Sequence, residues 1–115
     1  MQPEIQIGSV DNIYSRMMYF KSKGDTEIGH MHQFDHLTLL AKGSLRVTVE
    51  GVPTDFTAPH MIYIHADKIH ELVALTDETI AYCIHALRDN EGCIIDTSMI
   101  PKGTDVRKIA APLCK

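Results

Sequence analysis

Short apolar segments alternate with turn residues along this chain at intervals of about eight to twelve residues. This spacing limits the possible folds more than any other feature of the sequence. The clearest segment covers residues 44–50, where Leu45, Val47 and Val49 alternate with polar residues. Alternation with a period of two is typical of a half-buried antiparallel strand. No segment shows a convincing helical period, so the sequence predicts an all-β sandwich or barrel.

The same pattern predicts individual strands and turns. Residues 21–27 are predicted to form a charged loop and residues 51–53 a turn, and Gly43 takes a hairpin position that requires a positive φ. Residues 88–115 are interpreted as an extended arm with a short final strand at 93–95. The strands predicted before the arm are 5–7, 13–20, the histidine-rich stretch 29–43, 44–50, 61–65, 70–75 and 79–87.

Composition excludes several classes of protein. With 115 residues, 44% of them hydrophobic, and a net charge of -4, the chain is expected to form one domain, residues 1–115, with an ordinary core. Its Lys and Arg residues are scattered, which argues against binding to nucleic acid or to an anionic membrane. It has no long apolar run, no signal-peptide pattern and no Cys-x-x-Cys pair. We therefore expect a cytoplasmic protein.

Histidines mark the candidate site. His30, His32 and His36 fall within seven residues, and His70 lies in a later apolar segment. In an extended strand, residues two and four positions apart share one face, so three imidazoles can converge on one point. A sheet that folds back can bring His70 beside them. Imidazole nitrogens are ligands for Fe, Ni, Cu and Zn, so this pattern predicts a metal site.

The spacing of these residues resembles the first cupin motif, in which two histidines separated by one residue are followed by a glutamate and then a glycine. His36 stands at the position of the glutamate and Gly43 at that of the glycine. Residues 64–70 resemble the second cupin motif, whose histidine completes the metal site, here His70. The resemblance covers about residues 28–87 and implies a small β-barrel of the double-stranded jelly-roll type, mostly antiparallel.

Three positions depart from the cupin pattern. Asp67 and Ala74 replace a glycine and an asparagine of the second motif, and Asp67 still tolerates a left-handed turn conformation. His36 either replaces the glutamate as a fourth ligand or points away from a three-histidine site, and we favour the first interpretation. His85 shares a strand face with Cys83 and is the alternative fourth ligand, although a supporting or core role is favoured for it.

The remaining histidines and the aromatic residues are given ordinary roles. His60 and His65 are expected at the surface or in turns. Tyr19, Phe34 and Tyr63 are expected in the core rather than in contact with a substrate.

Two functions follow from this site. The resemblance implies one divalent transition metal per chain, Fe, Ni, Cu or Zn, bound by His30, His32, His36 and His70. Neutral ligands leave the ion its full charge, which favours a small anionic chelating ligand. The first hypothesis is a metal-dependent dioxygenase, and the alternative is a non-catalytic small-molecule-binding or sensing protein with a structural metal. No acid or base stands out beside the histidines, so no catalytic residue is assigned.

The outer surface of one strand predicts an oligomer. Residues 37–41, Leu-Thr-Leu-Leu-Ala, are uncharged on both strand faces. An uncharged outer face has to be covered, and a second copy packed sheet to sheet would cover it. We therefore expect a homodimer.

Overall fold

The computed structural model of the protein describes residues 1–30, with the backbone alone at His30, and residues 35–88. These residues form nine strands and no helix. No helix in the described part of the chain is long and apolar enough to cross a bilayer. The strands are β1 Glu4–Val10, β2 Ile13–Phe20, β3 Thr26–His30, β4 His36–Lys42, β5 Ser44–Val49, β6 Val52–Thr57, β7 His60–Ile64, β8 His70–Ala74 and β9 Thr79–Ala86.

The strands form two sheets around a shared core. The five-stranded sheet has the order β1-β2-β9-β4-β7, and the four-stranded sheet has the order β3-β8-β5-β6. All pairings are antiparallel. Side chains from both sheets meet in the core, including Met18 and Leu40 from one sheet and Leu45 and Leu72 from the other. The predicted all-β jelly roll is confirmed.

Strand alternation decides which residues face the core. In β5, Leu45 and Val47 are buried and Arg46 is exposed, as the period-two pattern predicts. In β4, Thr38 and Leu40 are completely buried, and the intervening Leu37 and Leu39 lie on the outer face of the sheet. The inner face of each strand therefore points into the barrel, and the outer face of β4 is apolar as expected.

Three sequence predictions are wrong at the level of elements. The histidine-rich stretch is not one strand, because β3 ends at His30 in one sheet and β4 begins at His36 in the other. Residues 26–30 form β3 although residues 21–27 were predicted to be a loop. Residues 52–57 form β6, which begins inside the turn predicted at residues 51–53. Both missed strands lie at sheet edges, where exposure permits polar residues and permits Pro53.

The turns follow their sequence signals more closely. Gly43 has a φ of 85° between β4 and β5, as predicted, and Asp67 has a φ of 60° before β8. A Cβ atom at Gly43 would overlap the side chain of Thr79 and lie 2.7 Å from Oγ1 of Thr76. Glycine is therefore required there both by the backbone conformation and by the close approach of the neighbouring turn. The predicted strand at 93–95 lies outside the described residues.

Candidate metal centre

The fold places three of the four predicted ligands, His30, His36 and His70, on three strands from both sheets. His30 ends β3, and its Cα atom pairs with that of His70 on β8. His36 begins β4 in the opposite sheet, where its cross-strand partner is Ile64 of β7. The side chain of His30 and the whole of His32 lie outside the described part of the structure.

His36 and His70 meet inside the barrel. Their side chains are buried, with 5% and 4% of the residue surface exposed. Their ring centroids lie 5.2 Å apart, and the ring planes are inclined by 51°. Because the two residues belong to different sheets, this contact depends on how the sheets pack and not on local sequence spacing.

A backbone carbonyl orients the His70 ring. The Nδ1 atom of His70 lies 3.1 Å from the carbonyl oxygen of Lys68, which can only accept a hydrogen bond. Nδ1 therefore donates this hydrogen bond, and in the neutral ring the lone pair is then on Nε2. Asp67, the residue before Lys68, has a left-handed backbone conformation in this turn. A fixed Nδ1–H donor of this kind is the usual support for a histidine that ligates a metal through Nε2.

A bulge in β3 brings its backbone close to β8. The register between the two strands shifts between Glu27 and His30. A Cβ atom at Gly29 would lie only 2.8 Å from the carbonyl oxygen of His70. Glycine at this position therefore allows β3 to approach β8 beside His70.

The described donors fit a transition metal. Two imidazoles that share one ion through bonds of about 2.0–2.1 Å have ring centroids roughly 4.5–5.5 Å apart, which includes the observed separation of His36 and His70. Within residues 1–30 and 35–88, no group of three or more potential ligand side chains is found. The described pair would thus form part of a site that the predicted ligands His30 and His32 would complete.

Asp35 links the segment before His36 to the turn before His70. Its carboxylate accepts a hydrogen bond from the Tyr63 hydroxyl at 2.5 Å and another from the Ala66 backbone N–H at 2.6 Å. These donors lower the pKa of Asp35, the Tyr63 hydroxyl contributing most, and the same bond raises the pKa of Tyr63. Tyr63 is 52% exposed, so the expectation of a core position is wrong.

A second group of polar residues lies beside the histidines, since Thr38 follows His36 by two positions on the inner face of β4. Arg16 of β2 donates a hydrogen bond of 3.0 Å to the Glu27 carboxylate of β3, and both side chains are largely buried. Beside them, Cys83 lies 3.6 Å from the Thr38 hydroxyl. Burial raises the pKa of the Cys83 thiol, which keeps it protonated and unreactive at neutral pH.

Sequence reasoning missed this group and the Asp35 contacts. Arg16 occupies the same strand phase as the buried Tyr14 and Met18, and this phase was the available signal that Arg16 faces inward. Glu27 was instead assigned to the charged loop. For Asp35 we find no signal in the sequence, because both of its partners come from the distant β7 and the turn after it.

The other histidines have the surroundings expected of supporting and surface residues. The ring of His85 stacks on buried Tyr14 with centroids 4.6 Å apart, and its Nδ1 atom lies 2.6 Å from the Ala86 carbonyl oxygen. These contacts agree with a supporting or core role. His60 and His65 are exposed, as predicted.

Comparison with solved structures identifies the fold. The structure of KdgF from Halomonas sp. superposes with a TM-score of 0.65 at 17% identity, covering 75% of this chain and 79% of that one. A cupin superfamily protein from Desulfitobacterium hafniense gives 0.62 at 16% identity, covering 75% and 80%. An RmlC-like cupin family protein with a double-stranded β-helix fold, from Methanocaldococcus jannaschii, gives 0.62 at 10% identity, covering 73% and 81%.

This chain has the cupin fold. The similarity to these solved structures establishes the architecture, and at such identities it does not extend to activity or ligand. No protein-family model matches the sequence, and no curated protein matches it significantly. The function of this cupin-fold protein must therefore be argued from its own residues.

Proposed function

We propose that this cupin-fold protein binds one divalent transition metal, Fe, Ni, Cu or Zn, through His30, His32, His36 and His70. We further propose that it acts as a metal-dependent dioxygenase on a small anionic chelating substrate. The observation that carries the proposal is the contact between two buried imidazoles, His36 and His70, from opposite sheets. A buried pair of this kind, with one ring held by a backbone carbonyl, is typical of metal ligands.

The residues around the histidines favour oxygen chemistry over proton transfer. Glu27 is engaged by Arg16, and Asp35 is engaged by Tyr63 and Ala66. Hydrolases and isomerases need a general acid or base within reach of the substrate, and these two carboxylates are already committed to other partners. When bound, an iron or copper ion would polarise the substrate and supply the redox chemistry for reaction with O2.

Neutral ligands determine the charge of the expected substrate. Four imidazoles contribute no negative charge, so a divalent ion would keep its charge of two inside the barrel. An anionic group with two oxygen donors, such as a 2-oxo acid or an enolised diketone, compensates this charge. The apolar residues of the inner faces, including Ile64 next to His36, would exclude water from the complex.

Non-catalytic binding of a small molecule is the second candidate. The same commitment of Glu27 and Asp35 that argues against proton transfer also suits a site that only holds a ligand or a structural metal. We also propose that the protein is a homodimer, because the outer face of the five-stranded sheet carries exposed apolar residues such as Leu37 and Met61.

Elemental analysis of protein purified without added metal tests the site. We expect about one equivalent of Fe, Ni, Cu or Zn per chain, and a loss of at least tenfold in the His70→Ala and His32→Ala variants. His36 points into the barrel, so His36→Ala tests whether it is a ligand: a fourth ligand is required for full retention of metal, and a buried neighbour of the site is not. His60→Ala is the matched control, because it removes an exposed histidine of β7.

Metal identity then directs the assay of function. With iron or copper bound, oxygen consumption is measured with a panel of 2-oxo acids, diketones and phenols, and turnover that needs the metal supports the dioxygenase. Metal retention and ligand binding without turnover would support the binding protein instead. If neither purified nor reconstituted protein holds metal, the metal-site proposal is wrong.

A further inference from the structure

A cavity of about 250 Å³ opens between the edge strands β6 and β7. Its lining is mainly apolar and comes from Val47, Val49, Val52, Phe56 and Ile62, together with Thr54 and Tyr63. No charged side chain lines it among the described residues. Small-molecule sites are typically concave and mainly apolar, with a few polar groups that fix orientation.

The four-stranded sheet connects this cavity to His70. Val49 of β5 is the cross-strand partner of His70, and Val52 of β6 is the partner of Val49. Directly opposed residues in antiparallel strands project from the same face, with Cα atoms roughly 5 Å apart. The first residue of the cavity wall therefore lies one strand away from His70.

The opposite wall leads to His36. Ile62 of β7 lines the cavity, and Ile64, two residues further on the same strand face, pairs with His36. Tyr63 also lines the cavity, and its hydroxyl donates a hydrogen bond to Asp35, the residue before His36. Both walls thus extend from the strands that carry or contact the buried histidines.

We propose that this cavity, lined by Val47, Val49, Val52, Phe56 and Ile62, binds the hydrocarbon part of a ligand whose anionic chelating end lies at the histidines. This inference rests on the proposed metal site and adds to it the class of ligand: a 2-oxo acid or similar chelator with an aromatic or branched aliphatic substituent. An apolar cavity of about 150 Å³ is large enough for benzene, so the present one accommodates a phenyl group with its linking carbon.

Thr54 provides a variant that fills the cavity. It is exposed, and it pairs with Val47, so a larger side chain there enters the cavity without displacing the core. Thr48→Phe is the matched control, because it is the same substitution of threonine by phenylalanine outside the cavity. Thr48 lies on the outer face of the neighbouring strand β5, opposite Glu71. Urea unfolding of both variants checks that each remains folded.

The first experiment uses toluene and metal-free protein, so it reports on the cavity even if no metal binds. Methyl NMR spectra of the valine and isoleucine residues are recorded during a toluene titration. We expect saturable shifts at Val47, Val49 and Ile62 in the wild type and in Thr48→Phe, and their loss in Thr54→Phe. Absence of these shifts in the wild type, or their persistence in Thr54→Phe, would overturn the proposal.

The second experiment asks whether the cavity serves the histidine site. Calorimetry with zinc-loaded protein compares pyruvate and phenylpyruvate, which share one chelating group. Burial of a phenyl group should make phenylpyruvate bind about tenfold more tightly or better, and Thr54→Phe should abolish this advantage while pyruvate binding is unchanged. Equal affinities in the wild type would overturn the link to the site. Failure to load zinc would instead count against the proposed metal site.

Discussion

Arg16 and Glu27 connect the two sheets from inside the barrel. Their side chains are only 16% and 15% exposed, so neither charge has full access to water when its partner is removed. Breaking a buried pair on one side costs more than the pair itself contributes, because an uncompensated charge remains. We expect Arg16→Met to lower the free energy of unfolding by about 2 kcal/mol, measured by urea denaturation. The double variant Arg16→Met, Glu27→Leu should recover most of this loss.

Arg46→Met is the matched control for that measurement. Arg46 donates two hydrogen bonds to Asp55, of 2.7 and 3.0 Å, but both side chains are about half exposed. The hydrogen bonds from the Arg46 guanidinium lower the pKa of Asp55, but the pair stays in contact with solvent. Solvent-exposed pairs contribute little to stability, so we expect a much smaller change than at Arg16. Equal losses at Arg16 and Arg46 would show that the interior pair has no special importance.

At the residue scale, the sequence predicts which face of a strand a side chain occupies better than it predicts which residues that side chain contacts. The period of β2 puts Arg16 on the inner face with Tyr14 and Met18, and the period of β8 puts His70 inside and Glu71 on the other face. The partners of Arg16 and His70 lie in the opposite sheet, at Glu27 and His36. No local pattern contains this information, because it depends on how the sheets pack.

Gly29 determines how closely β3 can approach the strand that carries His70. An alanine there would place its Cβ atom 2.8 Å from the His70 carbonyl oxygen, and a backbone atom cannot move aside as a side chain can. We expect Gly29→Ala to lower the free energy of unfolding of the metal-free protein by roughly 1–3 kcal/mol, the range for overpacked sites. Under the proposed function, elemental analysis should also show reduced metal retention.

Gly8→Ala is the control for the bulge at Gly29. Gly8 lies in the edge strand β1, and a Cβ atom there would meet no atom within 4 Å. Alanine in open space within a strand should be neutral or slightly stabilising, since it lowers the entropy of the unfolded chain. If both variants have the same stability as the wild type, β3 can shift away from β8 at no cost.

At the element scale, the strands that sequence predicts well are those buried on one face. The bounds of β2 match the prediction, and β5, β8 and β9 differ from it by one residue at one end. The edge strand β3 was missed because its inner face carries a charge at Glu27, and β6 was missed because its outer face is polar. The missed β3 is also why the histidine stretch was predicted as one strand.

The outer face of the five-stranded sheet carries neighbouring apolar residues that are partly exposed. On it, Leu39 of β4 lies between Met61 of β7 and Tyr82 of β9, with Leu37 one step along its own strand. Met61 is 53% exposed and Leu37 is 37% exposed. Contiguous apolar surface of this kind usually marks an interaction site. The prediction of an uncharged outer face rested on residues 37–41 of one strand. In the structure this face also includes residues of the two neighbouring strands, β7 and β9.

A homodimer formed through this face can be tested with a charge at its centre. We expect light scattering during size-exclusion chromatography to give twice the chain mass for the wild type and the single mass for Leu39→Glu, because an interface core does not tolerate an unpaired buried carboxylate. Met61→Glu, at an exposed position of the same face, should have the same effect without disturbing the fold. Thr48→Glu places the charge on the outer face of the other sheet and should remain dimeric. A wild-type protein of single mass, or a Leu39→Glu variant of double mass, would rule out this interface.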